Sequence, residues 1–324
     1  MTQRIRTVLF GVGAIGAGIG RLAAQRGDID LVGAIDAAPD KAGRPLRDVL
    51  DTPCSDSATV HAEAERALAG LRPQVILHAT GSYLPDVQDQ LAACARAGAN
   101  VVSTCEELSY PWFRHPELAK QLDAEAKANG VTLLGTGVNP GFVMDTLAVT
   151  LSGVCQQVAR VRLTRVVDVS TRRIQLQRKV GVGLKVEEFE AKVASGRFGH
   201  VGLKESCWLV AEGLGWRLDD LQEHIEPVVG PDGLACGMHQ SATGMMRGET
   251  VIEALVHMST QAERPRDEIE LAGTPNVHML IEGGIPGDVA TAAVIVNAIP
   301  SVVAHAPGLV TMLDLPPVRG RGAS

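Results

Sequence analysis

Thr7-Val8-Leu9-Phe10-Gly11-Val12-Gly13-Ala14-Ile15-Gly16 decides how this chain is read. Residues 4–10 form a short run rich in strand formers, which breaks at Gly11 and resumes as a helical pattern over about 14–25. The glycines thus stand as G-x-G-x-x-G between a strand and a helix. There Gly11 makes the tight turn, Gly13 lets backbone approach a pyrophosphate, and Gly16 lets helix and strand pack closely. The helix start at Ala14 and Ile15 offers unpaired N–H groups and a positive dipole end. With 35 glycines in the chain, a generic β–α turn is the competing reading. The following strand, residues 29–35, decides between them. It ends at Asp36, twenty positions after Gly16, where a carboxylate accepts from the adenosine ribose hydroxyls. NAD(H) is therefore expected. NADP(H) stays open, because Lys41 and Arg44 are near enough in sequence to reach a 2′-phosphate.

Working outward, strands are expected at residues 58–62, 74–80, 100–105 and 131–138. Helices are expected at 63–69, 85–97 and 116–129, and from Asn139-Pro140-Gly141 to about Leu151. Strands alternating with helices over residues 1–150 specify an α/β Rossmann domain with a doubly wound parallel sheet. Ligands of such sheets bind beyond the carboxyl ends of the strands. The tips to watch are Gly11–Gly16, Asp36, Thr80, Gly81, Ser82, Cys105, Glu106 and Asn139.

From residue 151 to 287 the pattern changes. Alternation over 158–169, 250–259 and 277–281, with helices near 186–194 and 203–213, indicates an α+β domain with a mostly antiparallel sheet. Asp288 is a good N-cap for an alanine-rich helix to about Ile299, expected to return to the first domain, which residues 288–315 would complete.

The chain has 324 residues, 45% hydrophobic and 21% charged, with a formal net charge of −7 and no basic cluster, so no nucleic-acid partner is expected. Its six scattered cysteines include no C-x-x-C pair, which fits a reducing compartment and no metal site. The amino terminus runs straight into the first strand, and the apolar stretch 289–303 is interrupted by Asn297 and Pro300. A cytoplasmic protein with no membrane partner is expected. No G-x-S-x-G, H-E-x-x-H or P-loop occurs.

Glu106 ends the fifth strand, where a nicotinamide would lie, and a carboxylate there could act as a general base. The alternative is an acid that complements a helix N-terminus, a role that suits Glu107 better. Asn139 reads equally as an N-cap before Pro140 or as a contact for nicotinamide or substrate. His200 lies in Gly199-His200-Val201-Gly202, a glycine-flanked loop before a helix, although a single histidine is more often structural. Arg172-Arg173 close a strand of the second domain. Such pairs are usually solvated, yet one could hold a substrate carboxylate through two hydrogen bonds. His78 and His305 sit in apolar contexts and read as structural.

Thr7–Gly16, Val102-Ser103-Thr104-Cys105-Glu106-Glu107-Leu108, Gly135-Thr136-Gly137-Val138-Asn139-Pro140-Gly141-Phe142 and Gly199-His200-Val201-Gly202-Leu203-Lys204-Glu205-Ser206 together resemble the 2,4-diaminopentanoate dehydrogenase family. Residues 168–173 and 179–181 resemble its second-domain signature. That family includes the native NAD(P)-dependent amine dehydrogenases and is related to dihydrodipicolinate reductase. The resemblance implies reversible conversion of a ketone or aldehyde, ammonia, NAD(P)H and a proton into an amine, water and NAD(P)⁺. It implies Glu106 as the catalytic carboxylate, with Asn139 and His200 lining the pocket. The second domain is expected to supply a homodimer interface. Dihydrodipicolinate reductases carry an adjacent His-His pair followed by Lys, and this chain has no such pair. Glu106-Glu107-Leu108 also departs from the Glu-Lys-Pro of related sugar oxidoreductases. Two rival readings are a C=O or C=C reductase that turns over without ammonia, and an NAD(H)-binding redox sensor without turnover.

Overall fold

β1 (Ile5–Phe10) buries its last four residues in succession, as a central strand covered on both faces must. The computed structural model describes residues 4–172 and 174–322. In chain order β1 is followed by α1 (Ala14–Ala24), β2 (Ile29–Ile35), α2 (Leu46–Leu50), β3 (Val60–His61) and α3 (Ala64–Leu71). Next come β4 (Val75–His78), α4 (Leu84–Arg96), β5 (Asn100–Ser103), a 3₁₀ turn (Glu106–Ser109), α5 (Pro116–Ala128) and β6 (Thr132–Gly135). The chain continues through α6 (Thr146–Ser152), β7 (Gln157–Asp168), α7 (Ile174–Lys179), α8 (Val186–Ala194), α9 (Leu203–Gly213), β8 (Asp220–Val229) and β9 (Ala235–Met246). β10 (Glu249–Ser259), β11 (Arg266–Thr274), β12 (Val277–Glu282), α10 (Gly287–Ala304) and β13 (Gly308–Val310) complete it.

The chain forms two compact units. The first runs to Gly141 and resumes at Pro286, and the second is Phe142–Ile285. In the first unit seven parallel strands lie in the order β13-β6-β5-β4-β1-β2-β3. Its core is aliphatic. Val8, Ile76, Leu84, Leu91, Val101 and Leu133 have no exposed surface, and each such side chain contributes roughly 2 kcal/mol by leaving water. Gly16 is required by proximity, since a Cβ there would lie 1.9 Å from the carbonyl oxygen of Gly11. Gly11 itself has φ +93°, which strains any residue with a side chain.

α10 packs on α1, β4, β5 and β6 within this unit. The helix runs past Pro300 to Ala304, beyond the expected end near Ile299. Asn297 accepts a hydrogen bond from Arg26 at 2.8 Å, and Pro300 sits inside the helix. The buried run of Val294, Ile295, Val296, Ala298, Ile299 and Val302 holds the helix through the proline, so tertiary burial overrides local propensity. With 18 residues and mean hydropathy 1.6, α10 is long and apolar enough to cross a membrane by length and composition, yet here it covers a sheet. Asp288 lies in its first turn, and Pro286 takes the N-cap position expected for Asp288.

In the second unit six strands lie in the order β12-β11-β7-β10-β9-β8. All neighbours are antiparallel except β7 and β10, which run parallel. α9 packs on β9 and β10, and α8 on β8. The helix expected to start at Pro140 does not form there. Gly141 has φ +122°, outside helical space, and the helix starts at Thr146. Asp145 caps it, accepting from the Thr146 N–H at 2.6 Å and from Ser206 Oγ at 2.7 Å. β7 ends at Asp168, whose carboxylate accepts from the Ser170 N–H and turns the chain. Arg172 therefore sits in a bend and does not close a strand, and Arg173 lies outside the described residues.

Candidate functional site

At the carboxyl edge of the first sheet, Gly13 occupies the N-cap position of α1 with no side-chain cap, and the first turn holds no acidic residue. A Cβ built on Gly13 meets nothing within 4 Å. An open glycine before an uncapped helix start, its N–H groups bare of competing anions, fits a dinucleotide pyrophosphate. Ala14 is exposed and Ile15 half-buried at that start.

Asp36 closes the other side of this loop. Its Oδ2 accepts from the Val12 N–H at 2.8 Å and from Lys41 Nζ at 3.0 Å, and its Oδ1 accepts from the Ala38 N–H at 2.9 Å. Burial alone would raise its pKa, but donation from Ala38, Lys41 and Val12 outweighs that and holds it below the usual carboxylate value. Asp36 is thus ionised and fixed, with a cation beside it. Arg44 instead donates to the Asp40 carbonyl.

The β4 tip carries Thr80, Gly81 and Ser82. The Thr80 hydroxyl lies 2.6 Å from Gln90 Oε1 and 2.8 Å from His78 Nε2, and His78 Nδ1 is 2.8 Å from Ser103 Oγ. A consistent chain runs Thr80 O–H to Gln90, His78 Nε2–H to Thr80, and Ser103 O–H to His78 Nδ1, while Ser103 accepts from the Cys105 N–H. His78 is a satisfied structural histidine, and burial lowers its pKa to about 4. The Thr80 hydroxyl is spent inside this network, so the β4 tip faces a ligand mainly through backbone.

Cys105 is fully buried and donates its thiol to the Ser82 carbonyl at 3.3 Å. Burial pushes that thiol well above its usual pKa, which leaves it inert. Glu106 follows as the first residue of the 3₁₀ turn, half-buried at the β5 tip. Glu107 points elsewhere. Its Oε2 accepts from the Leu84 N–H at the start of α4 and lies 2.8 Å from His115 Nε2, and Arg114 Nε stands 3.4 Å from Oε1. Asn139 is 8% exposed beyond β6, and its bond to Pro140 is cis. Nearby, the buried Thr136 hydroxyl has no hydrogen-bond partner. The first unit therefore gathers Gly11, Gly13, Ala14, Ile15, Gly16, Asp36, Thr80, Gly81, Ser82, Cys105, Glu106 and Asn139 along one edge of one sheet.

Within the second unit, the Gln240 amide holds the His200 backbone from both sides, accepting from its N–H at 2.8 Å and donating to its C=O at 2.9 Å. Gln240 also donates to Glu223. The loop needs Gly199 and Gly202, at φ +98° and +106°. Although His200 keeps some exposed surface, desolvation of its ring, then Lys179 and Arg165, lower its pKa to about 3, so the imidazole is neutral at physiological pH. Arg165 is buried against Asp267 at 2.7 Å and donates to the Ile285 carbonyl, with Arg172 within electrostatic reach. Sequence reasoning singled out Arg172 and His200 but missed Arg165, Lys179 and Gln240. Strand alternation placed Arg165 within β7 but gave no sign that Asp267, about a hundred residues away, would pair with it.

Residues 142–321 match the family model of the 2,4-diaminopentanoate dehydrogenase C-terminal domain, and residues 7–134 match that of the saccharopine dehydrogenase NADP binding domain. A 2,4-diaminopentanoate dehydrogenase of Acetoanaerobium sticklandii is 32% identical, over 97% of this chain and 94% of that protein. An amine dehydrogenase of Streptomyces virginiae is 26% identical over 98% of each. Among solved structures, an amine dehydrogenase from Mycobacterium smegmatis superposes with a TM-score of 0.88 at 28% identity, covering 99% of this chain and 98% of its own.

Proposed function

Because the chain belongs to the 2,4-diaminopentanoate dehydrogenase family and is an NAD(P)-dependent oxidoreductase of amines, we propose that it converts a ketone or aldehyde and ammonium into an amine and water with Glu106 as the base. The observation that carries this reading is a half-buried carboxylate at the β5 tip, on the same sheet edge as the open glycine cradle. A bound nicotinamide supplies or accepts the hydride. Gly13, Ala14 and Ile15 would hold its pyrophosphate and Asp36 its ribose. The residues of the chain handle binding and protons. At neutral pH ammonium predominates and cannot attack a carbonyl. Glu106 takes a proton from it, the freed lone pair attacks the carbonyl carbon, and loss of water leaves an imine. A carboxylate with ordinary pKa near 4.3 is a weak base for this task, and partial withdrawal from water makes it a better one.

Asn139 is assigned to the pocket beside nicotinamide and substrate. His200 and Arg172 are assigned to the substrate, where Lys179 and Arg165 beside a neutral imidazole, with Arg172 in reach of Arg165, suit an anionic group on the amine. The name of the Acetoanaerobium relative, a diaminopentanoate dehydrogenase, favours such a group. For the cofactor, Asp36 favours NAD(H), while Lys41 at 3.0 Å partly offsets the charge that would repel a 2′-phosphate. NADH is expected to bind more tightly than NADPH, with both measurable. The protein works in the cytoplasm as a homodimer, which light scattering on the purified chain checks.

The test is Glu106→Ala, assayed by NADH oxidation with small ketones, with and without ammonium. Turnover should fall by about 10²–10⁴-fold while fluorescence titration still finds NADH bound. Near-normal turnover in the variant removes the base. Wild-type turnover that is indifferent to ammonium would assign the chain to carbonyl reduction instead.

A further inference from the structure

The proposed chemistry gives Glu107 no task, although its burial is costly. It is 4% exposed, and withdrawing a carboxylate from water is expensive unless it is paired and hydrogen-bonded. Capping α4 would not by itself require it. A Ser, Asp or Asn at the N-cap position does that without burying a charge, yet this position holds Tyr83, with no side-chain cap. The cap comes instead from the neighbouring strand tip.

The same junction is fastened again through Ser82, whose carbonyl accepts from the Glu107 N–H at 3.2 Å and from Cys105 Sγ at 3.3 Å. With Leu84 N–H to Glu107 Oε2 at 2.8 Å, three hydrogen bonds join Ser82 and the start of α4 to Cys105 and Glu107, on either side of Glu106. From the segment before α5, His115 meets the same Oε2 and Arg114 stands by Oε1. Charge-assisted bonds of this kind are shorter and stronger than neutral ones. Two consecutive carboxylates thus differ in setting: Glu107 is buried and held by Leu84, His115 and Arg114, while Glu106 keeps part of its surface in solvent. One is locked into the protein, and its lock fixes the backbone from which the other projects.

We propose that Glu107 is a positioning residue that sets Glu106 against the β4 loop. This rests on the reading of Glu106 as the base. The base must stand within hydrogen-bond reach of a small nitrogen nucleophile, and a shift of about 1 Å in such a group can cost about 100-fold in rate.

The test uses the full chain with Glu107→Leu, which keeps bulk but accepts no hydrogen bond, and Glu107→Gln, whose amide oxygen still accepts from Leu84. Glu107→Leu should lower kcat by about 100-fold, with the KM of the ketone and the Kd of NADH within about threefold of wild type. Glu107→Gln should return kcat to within about tenfold of wild type, because a neutral acceptor restores part of a charge-assisted bond. A purely structural role would move melting temperature and NADH affinity together and would show no such split.

Wild-type kcat in Glu107→Leu overturns the proposal, as does a kcat loss matched by equal loss of NADH affinity, or a Gln variant no better than Leu. Should Glu107→Leu fail to fold, Arg114→Ala with His115→Ala decides. Both are partly exposed. A kcat lowered about tenfold at unchanged NADH Kd supports the proposal, and wild-type kcat overturns it. Glu106→Ala run in parallel separates the two claims. If that variant is fully active, the base reading fails. If it is dead while Glu107→Leu is fully active, the positioning role fails alone.

Discussion

His78 shows how much a single buried side chain can decide. It has no exposed surface and is neutral, with Ser103, Gln90 and Thr80 taking its ring nitrogens. Its pKa falls from 6.5 to about 4 on folding, so below pH 6.5 the unfolded chain binds a proton that the folded chain refuses. Stability is full above pH 6.5 and is lost as pH falls toward 4, by roughly 3 kcal/mol for this residue. His200, lowered to about 3, acts in the same direction. The melting temperature should drop steadily from pH 6.5 to 4, and His78→Gln should flatten part of that slope. Equal slopes in both proteins would contradict the account. The sequence showed His78 as a histidine in an apolar run, which was enough to read it as structural. Its partners were hidden, because Gln90 faces it from a helix and Ser103 from the next strand. The strand-end positions of Glu106 and Asp36 and the turn at Gly11–Gly16 were legible because alternating strands and helices set where each strand ends. Glu107 was read as an acid that complements a helix N-terminus, and it does so, though for α4, more than twenty positions earlier.

Among elements, those with strong periodicity were readable to within a residue or two: β2, α4, α8 and α9 lie where expected. The failures have several causes, among them a contact distant in sequence that overrides a local signal. Pro300 looked like a stop, yet α10 runs on to Ala304 because its buried face holds it against α1 and the sheet. Asn139-Pro140 looked like a helix start, but Gly141 leaves helical space and Asp145 is the cap. β9 was missed because Ala235, Gly237, Ser241, Ala242 and Gly244 are small or strand-poor residues, leaving Thr243 as its single β-branched residue. β13 spans three residues, too few to show any period. Its pairing with β6 is a tertiary fact, and no window of sequence contains it.

At the scale of the molecule, the first unit is discontinuous: its sheet and the cover of α1 are finished by residues beyond Pro286. A chain ended after Ile285 would lack α10 and β13 and leave Ile19 and Ala23 of α1, with Leu133 and Leu134 of β6, short of their packing partners. Such a chain should aggregate or show no cooperative melting, and it should not bind NADH. A soluble truncated protein with native affinity would contradict this. The glycine cradle is translated well before the helix and strand that complete its unit. Synthesis must run past β13 before Gly11–Gly16 can grip a nucleotide, so a product terminated before α10 would have no hold on the cell's dinucleotide pool.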